Sequence, residues 1–214
     1  MFEELITAPT SEPVTIEEAA TFCRIDVPTA SPPDAEYLQL MRFISVARAM
    51  VENKTGQALL TQSWRLTLDS FPAVRSAHNQ WQDNLQYVPT ESIQLYRTPV
   101  DADSLVITYI DSSNEEQTFS SDNYTVANGR ISLKAGKCWP TTACERNAVT
   151  IEYDAGRESA ADVPDDLKVA IMFLVNHWNE NRDMIGKEPT MEVARSFSSL
   201  CAAFINITFP TARQ

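Results

Sequence analysis

Apolar residues recur every three or four positions in the first part of the chain, which is the spacing of an amphipathic helix. Thr15 and Glu18 have the spacing of a capping box, in which each side chain accepts a hydrogen bond from the other's backbone amide, so a short helix is expected to about Cys23 or Arg24. Asp34 can cap a longer helix that ends at Gly56. The apolar positions of this second helix are Tyr37, Leu40, Met41, Ile44, Ala47 and Val51.

The same spacing returns near the end of the chain. Pro164 and the two aspartates after it predict a helix start, because acidic groups are favoured in a first helical turn. Residues 167–178 are apolar on almost every face, so this helix is expected at the centre of the core. A last helix is predicted after Pro189, with apolar positions Val193, Ala194, Phe197, Leu200, Cys201, Phe204 and Ile205.

Between these helical zones, from about residue 60 to residue 156, the apolar residues alternate with polar ones, as in half-buried strands. Residues 62–68 show the alternation, and Asn128-Gly129 suits a tight hairpin. Short strands at this spacing are typical of an antiparallel sandwich or small barrel. Further strands are predicted at residues 92–96, 104–110, 117–120, 124–127, 130–133 and 148–153.

Neither helical zone is large enough to close a core alone. We therefore expect an α+β protein in which N- and C-terminal helices form one helical bundle and the β region is an inserted antiparallel β-sandwich or small barrel. The predicted boundaries are 1–60 for the first helices, 61–156 for the β domain, 157–206 for the last helices and 207–214 for a tail.

Composition narrows the possible functions. The 214 residues include 29 acidic and 17 basic ones, a formal charge of -12, so the surface repels a polyanion and sequence-specific DNA binding is disfavoured. The chain has only 5 Gly and 2 His, and no phosphate-loop, dinucleotide, zinc-protease or nucleophile-elbow motif. The acidic amino terminus is unlike a secretory signal, and the longest apolar run, residues 170–175, is too short to span a bilayer.

Four scattered cysteines fit neither a zinc site nor a small disulfide framework. Reduced thiols are the favoured interpretation, and a Cys138–Cys144 bridge across a loop is the alternative. His177 could serve as a general base oriented by Glu180 or Asp183, but it has no neighbouring nucleophile, so a helix-end role is favoured. We expect no catalytic residue, no metal and no cofactor.

Two segments could contact a partner. The long loop of residues 73–90 contains His78, Trp81 and Tyr87, and a partner contact or a self-packed loop are equally open for it. The acidic segment that begins at Asp111 is expected to be a hairpin tip rather than a calcium loop. The apolar end of the chain, residues 204–210, can be buried internally or offered to a neighbour.

Three collinear blocks resemble phage head-tail connector proteins, also called adaptor or head completion proteins, of long-tailed bacteriophages and prophages. The first block is the opening of the chain, residues 5–26, with its Glu-Pro-Val-Thr-Ile-Glu-Glu-Ala run. The second covers residues 47–72, and the third covers residues 163–183, which include His177 and Trp178. The middle of the β region and the 73–90 loop do not follow the pattern.

The resemblance implies a structural virion protein and not an enzyme. It implies a cyclic homo-oligomer, usually a dodecamer, beneath the portal protein in the virion neck, assembled in the host cytoplasm, with a stopper or tail protein on its other side and DNA passing through its lumen. We expect subunit or neck contacts from Arg42, Arg48, Glu52, Trp81 and Tyr87. By position in the chain, the predicted portal-binding residues are Phe204, Ile205, Ile207 and Phe209.

Two alternatives stay open. Another tail or baseplate component with the same helical and β plan would also be oligomeric but would not bind the portal. A small hydrolase or carbohydrate-binding module would use Trp81, Tyr87 and Asp83 for a sugar face and would be a monomer.

Overall fold

The computed structural model describes residues 2–27, 30–31, 33–72, 92–181 and 191–205. The protein is α+β and divides into two compact units. The β unit comprises Met1–Ala8 and Gln62–Ala155, and the helical unit comprises Pro9–Thr61 and Gly156–Gln214. The helices are α1 (Ile16–Cys23), α2 (Ala35–Thr55), α3 (Asp165–Glu180) and α4 (Met191–Ala202). The strands are β1 (Phe2–Thr7), β2 (Gln62–Leu68), β3 (Ile93–Gln94), β4 (Val106–Ile110), β5 (Glu116–Phe119), β6 (Tyr124–Ala127), β7 (Arg130–Leu133) and β8 (Val149–Ala155).

The predicted helix ends of α1 and α2 are confirmed. The backbone amide of Thr15 donates to Glu18 Oε2 at 2.8 Å, and the amide of Glu18 donates to Thr15 Oγ1 at 3.1 Å, which completes the capping box. The Asp34 carboxylate accepts from the Tyr37 amide at 2.7 Å, and α2 ends at Gly56 with φ 70°. These groups satisfy backbone donors and acceptors that a helix end otherwise leaves open.

Helix α3 is central to the helical unit, as its sequence predicts. It contacts α1, α2 and α4, and it buries residues along most of its length, including Leu167, Ile171 and Val175. Helix α2 buries an opposing set that includes Ile44 and Val51. Because α2 lies before the β unit in the sequence and α3 lies after it, this core joins both sides of the insertion.

Arg48 and Glu52, which the sequence predicts at a subunit interface, are instead buried inside the helical unit, with 8% and 5% of their surfaces exposed. Arg48 Nη1 donates to Glu52 Oε2 at 3.0 Å, and its Nε donates to Glu12 Oε2 at 2.8 Å. Glu52 Oε1 also accepts from the Leu59 amide at 2.9 Å. The prediction is therefore corrected: both side chains are engaged within their own chain, because the one-turn spacing on α2 lets them pair.

The β unit contains two antiparallel sheets. Their strand orders are β1-β2-β8-β4-β5 and β3-β7-β6. Asn128 and Gly129, both with positive φ, make the tight β6–β7 hairpin that the sequence predicts. Neither sheet closes on itself among the described strands, so the small-barrel alternative does not hold there.

Strand β1 was not predicted, because residues 1–60 were expected to form helices. It pairs antiparallel with β2, Glu3 opposite Leu66. Tyr153 Oη donates to Glu3 Oε1 at 2.8 Å, and Arg97 lies 3.7 Å from the other Glu3 oxygen. The Arg97 guanidinium also lies 4.5 Å from the ring centroid of Trp64. The Glu3 carboxylate occupies a position at which a half-buried strand usually has an apolar residue. The alternation of apolar and polar residues is therefore absent in this segment.

All four cysteines are free thiols in the structure, and Cys138 and Cys144 are both exposed. The Cys138–Cys144 bridge is therefore not formed. Nearby, Trp139 stacks on Phe71 with ring centroids 4.9 Å apart and also contacts Phe119 at 5.4 Å. Trp139 lies between the two cysteines in the sequence. The aromatic contacts of Trp139 therefore hold the loop that carries the cysteines.

The buried charges of the helical unit predict an uneven response to loss of an arginine. Arg48→Met leaves the Glu52 carboxylate buried without its cation, so we expect a loss of about 3 kcal/mol in the free energy of unfolding. The control is Arg65→Met, because the Arg65 and Glu152 side chains lie 2.7 Å apart but are 40% and 52% exposed, so a change below about 1 kcal/mol is expected there. Urea denaturation measures both; equal losses would contradict the interpretation of Arg48.

Gly156, where the chain returns to the helical unit, tolerates no side chain. It has φ 119°, and a Cβ built there would overlap the carbonyl group of Leu60 and lie 2.7 Å from the Thr61 nitrogen. Gly156→Ala is expected to cost about 3 kcal/mol or more. Gly136 is the control, because its φ is 77° and nothing lies within 4 Å of a Cβ there, so Gly136→Ala should cost only about 1 kcal/mol. Thermal unfolding of both variants tests the difference.

Candidate interaction surfaces

The polar groups around His177 serve the end of α3. Asn181 Nδ2 donates to the His177 carbonyl at 2.8 Å and lies 3.2 Å from His177 Nδ1. The Glu180 carboxylate accepts from Asn176 Nδ2 at 3.0 Å, so it does not orient the imidazole. The third member of the predicted acid-base group, Asp183, lies outside the described residues. The helix-end role of His177 agrees with these contacts.

The Asp111 carboxylate accepts the hydrogen bonds that shape the β4–β5 hairpin. Its Oδ1 accepts from the amides of Glu115 and Ser113 at 3.1 and 2.8 Å, and its Oδ2 accepts from Gln117 Nε2 at 3.2 Å. These hydrogen bonds, with that of the Glu115 amide foremost, lower the pKa of Asp111 below its usual value. The carboxylate is therefore committed to the turn, as expected for a hairpin tip.

The buried hydroxyl of Tyr153 also has a structural partner. Burial, and then the Glu3 carboxylate, raise the pKa of Tyr153 above its usual range, so the hydroxyl stays a hydrogen-bond donor to Glu3. No three His, Cys, Asp or Glu side chains in the described part of the chain lie close enough to hold a metal ion. In the same part, the helices are too short or too polar to cross a membrane.

The outward face of α2 carries a ridge of four side chains spaced by four residues: Leu38, Arg42, Val46 and Met50. The three apolar members are between 42% and 52% exposed, and Met41 beside them is similarly exposed. Of the interface residues predicted on α2, Arg42 is the exposed one, and among the described residues it forms no ion pair. We call these four residues the α2 ridge.

An open groove lies between α1 and α3, lined by Glu17, Glu18, Thr21, Phe22 and Met172. Exposed Phe22 packs edge to face against exposed Phe173, with ring centroids 5.7 Å apart. Glu18 is held by the capping box, whereas Glu17 is exposed on the first turn of α1. The α1–α3 groove is therefore lined by two large apolar side chains, Phe22 and Met172, and by two glutamates, Glu17 and Glu18.

Sequence reasoning missed both of these surfaces because it looked for one apolar face on each helix. On α2 the predicted apolar face includes Met41, which is 45% exposed, and it leaves out Leu38, Val46 and Met50, which are exposed as well. The usable signal was the surplus of large apolar residues beyond one helical face, since such residues are rarely grouped on a surface that only meets water.

The apolar end of the chain begins in a fixed position. Phe204 is half-buried and packs against the helical core, and its carbonyl accepts from Gln57 Nε2 at 2.8 Å. Ile205 is 39% exposed. The other predicted contact residues, Ile207, Phe209, Trp81 and Tyr87, lie outside the described residues, as do Asp83 and His78 of the 73–90 loop.

Strand β1 adds a third apolar surface, at the edge of the five-stranded sheet. Phe2, Leu5 and Ile6 are exposed there, and Phe2 is the most exposed large apolar residue among the described ones. Phe2 and Glu3 are successive residues that point to opposite faces of the strand, and Glu3 binds Tyr153.

Comparison with solved structures finds the same fold in particles that resemble phages. A chain from the neck of an empty gene transfer agent particle, computed with C6 symmetry, matches with TM-score 0.72 and 19% identity. A chain from the virion of the native gene transfer agent particle matches with TM-score 0.70 and 20% identity. A chain from the native neck computed with C12 symmetry matches with TM-score 0.64 and 19% identity. Each match covers 100% of both chains.

At the level of sequence, no curated protein matches significantly. The model of the head completion protein family matches residues 14–188, which is most of the chain. This family is the one that the three collinear blocks resemble, so the resemblance is confirmed. The chain belongs to the head completion protein family, and its role is that of a structural protein at the connection of head and tail.

Proposed function

We propose that this protein is a connector subunit that assembles as a closed ring of identical copies, twelve in the particle, in the neck between a DNA-filled head and the tail. The observation that carries the proposal is the family match over residues 14–188. Full-length likeness to neck chains solved with sixfold and twelvefold symmetry supports the ring. The protein acts as a scaffold and conduit, without a catalytic or cofactor-dependent step.

The charge of the chain suits a conduit. With a formal charge of -12, the protein repels passing DNA phosphates instead of binding them. A lumen that bound DNA would slow its passage, because each phosphate contact made by a basic residue adds affinity. Acidity therefore favours sliding over holding.

We propose the predicted architecture for the two units, with α1–α4 as a bundle and the two sheets as a sandwich. Residues from all four helices contribute to one apolar cluster. In the β unit, Phe119 of the five-stranded sheet stacks on Tyr124 of the three-stranded sheet with centroids 5.9 Å apart. The predicted boundaries are kept in this proposal, except that β1 joins the β domain.

The partners are the portal protein on one side of the ring and a stopper or tail protein on the other. Portal contact is assigned to the end of the chain, from Phe204 and Ile205 to Ile207 and Phe209. Its support is that Phe204 is anchored by Gln57 while Ile205 is exposed immediately after it. The aromatic loop residues Trp81 and Tyr87 are proposed for a neck contact.

Ring formation tests the function directly. Native mass spectrometry and negative-stain imaging of the full chain, alone and mixed with the portal protein of the same particle, should give closed rings, either alone or on the portal. A persistent monomer that ignores the portal would contradict the proposal and favour the carbohydrate-binding or hydrolase alternative. Rings that never bind the portal would favour a tail or baseplate component.

The end of the chain gives a sharper test of portal contact. Ile205→Asp places a charge on an exposed apolar residue and should weaken portal binding at least about tenfold, because a buried unpaired carboxylate opposes association. Val27→Asp is the control, since Val27 is also exposed and lies outside the helices and strands, and it should leave binding unchanged. Co-sedimentation with portal rings measures both. Equal binding by the two variants would refute the assignment.

A further inference from the structure

Closed rings of identical subunits impose a requirement on the surface of each copy. Neighbours in a cyclic assembly contact through two different patches, one on each side of the subunit, and these patches must be complementary to each other. The described part of the helical unit presents two such surfaces, the α2 ridge and the α1–α3 groove.

The first argument for a contact between the two surfaces is geometric. A row of side chains four residues apart is the ridge that helices use to pack into the grooves of other helices. The α2 ridge extends over twelve residues, or about 18 Å of helix. The groove between α1 and α3 is open, and its lining includes no residue of α2. Among the described residues only α1 and α3 line it, which leaves room for a ridge from a second copy.

The second argument is the charge of the two surfaces. The ridge carries one cation, Arg42, between Leu38 and Val46, and the groove is lined in part by Glu17 and Glu18. Within the described residues neither Arg42 nor Glu17 forms an ion pair in its own chain. The opposite arrangement, ridge against ridge, would bring two copies of Arg42 together and is disfavoured.

We infer that the α2 ridge of one subunit packs into the α1–α3 groove of the next, with Arg42 of the ridge facing Glu17 of the groove. This inference rests on the proposed ring. Leu38, Val46 and Met50 supply the apolar contact with Phe22 and Met172, and the charged pair sets the direction in which copies add.

Charge reversal tests the contact. Arg42→Glu and Glu17→Arg should each weaken ring formation about tenfold or more, because each places like charges together. Controls with the same change in net charge are Arg146→Glu and Glu158→Arg, two exposed loop positions, which should assemble normally. Circular dichroism of each variant checks that it is folded.

Mixing the two weakened variants distinguishes this contact from a symmetric one. In an alternating ring, the ridge of the Arg42→Glu variant meets the groove of the Glu17→Arg variant, so opposite charges face each other again with their signs exchanged. The remaining contacts pair unchanged Arg42 with unchanged Glu17. An equimolar mixture should therefore recover rings that neither variant forms alone, and native mass spectrometry should show both chains in each ring. Rescue by mixing also demonstrates that both variants are folded.

The outcomes separate this inference from the proposed function. Rings that persist undiminished in both charge-reversal variants would refute the ridge-and-groove contact and leave the connector function standing. Weakened variants that fail to recover on mixing would also refute it. A wild-type protein that remains monomeric with and without the portal would refute the ring itself, and this contact with it.

Discussion

The helical unit depends on two stretches of chain, separated by the entire β unit, burying their apolar faces against each other. A single helix cannot cover its own apolar face, so α2 must bury that face against another element. Helix α3 is apolar around most of its circumference and must also be covered, so the two helices bury each other's apolar surfaces. The buried Glu52 carboxylate adds directional hydrogen bonds to this apolar packing. It binds Arg48 and the Leu59 amide, and so fixes how the chain leaves α2.

The side of the helices that faces away from this core connects fold to function. Large apolar residues are rarely grouped on the surface of a protein that has no partner. Here Leu38, Val46 and Met50 form one exposed ridge, and Phe22 is exposed next to two glutamates. A subunit of a ring needs such surfaces, and it needs them to differ. In the proposed ring these surfaces would make the contacts between subunits, and the packed helical core fixes their positions.

Features set by neighbouring residues could be predicted from sequence, and features set by distant residues could not. The Thr15–Glu18 capping box, the Asp34 cap and the Asn128-Gly129 hairpin depend on a few adjacent positions, and all were confirmed. Strand β1 depends on β2, about sixty residues away, and was missed. Arg48 was assigned to the surface because its second partner, Glu12, lies thirty-six positions earlier. The groove needs α1 and α3 together, so no local pattern indicates it.

The register of β2 and β8 has a consequence for synthesis. About 110 residues separate the end of α2 from the start of α3, so a ribosome adding about 5–20 residues per second needs on the order of 10 seconds between them. During that delay α2 can pack against α1 but not against α3. Because Gln62 pairs with Ala155, folding of the β unit alone brings the two flanking chain segments side by side. The conformational entropy of closing this long loop has then already been lost when α3 emerges from the ribosome. Helix α3 can therefore pack against α2 sooner, and the apolar face of α2 is exposed to aggregation for less time.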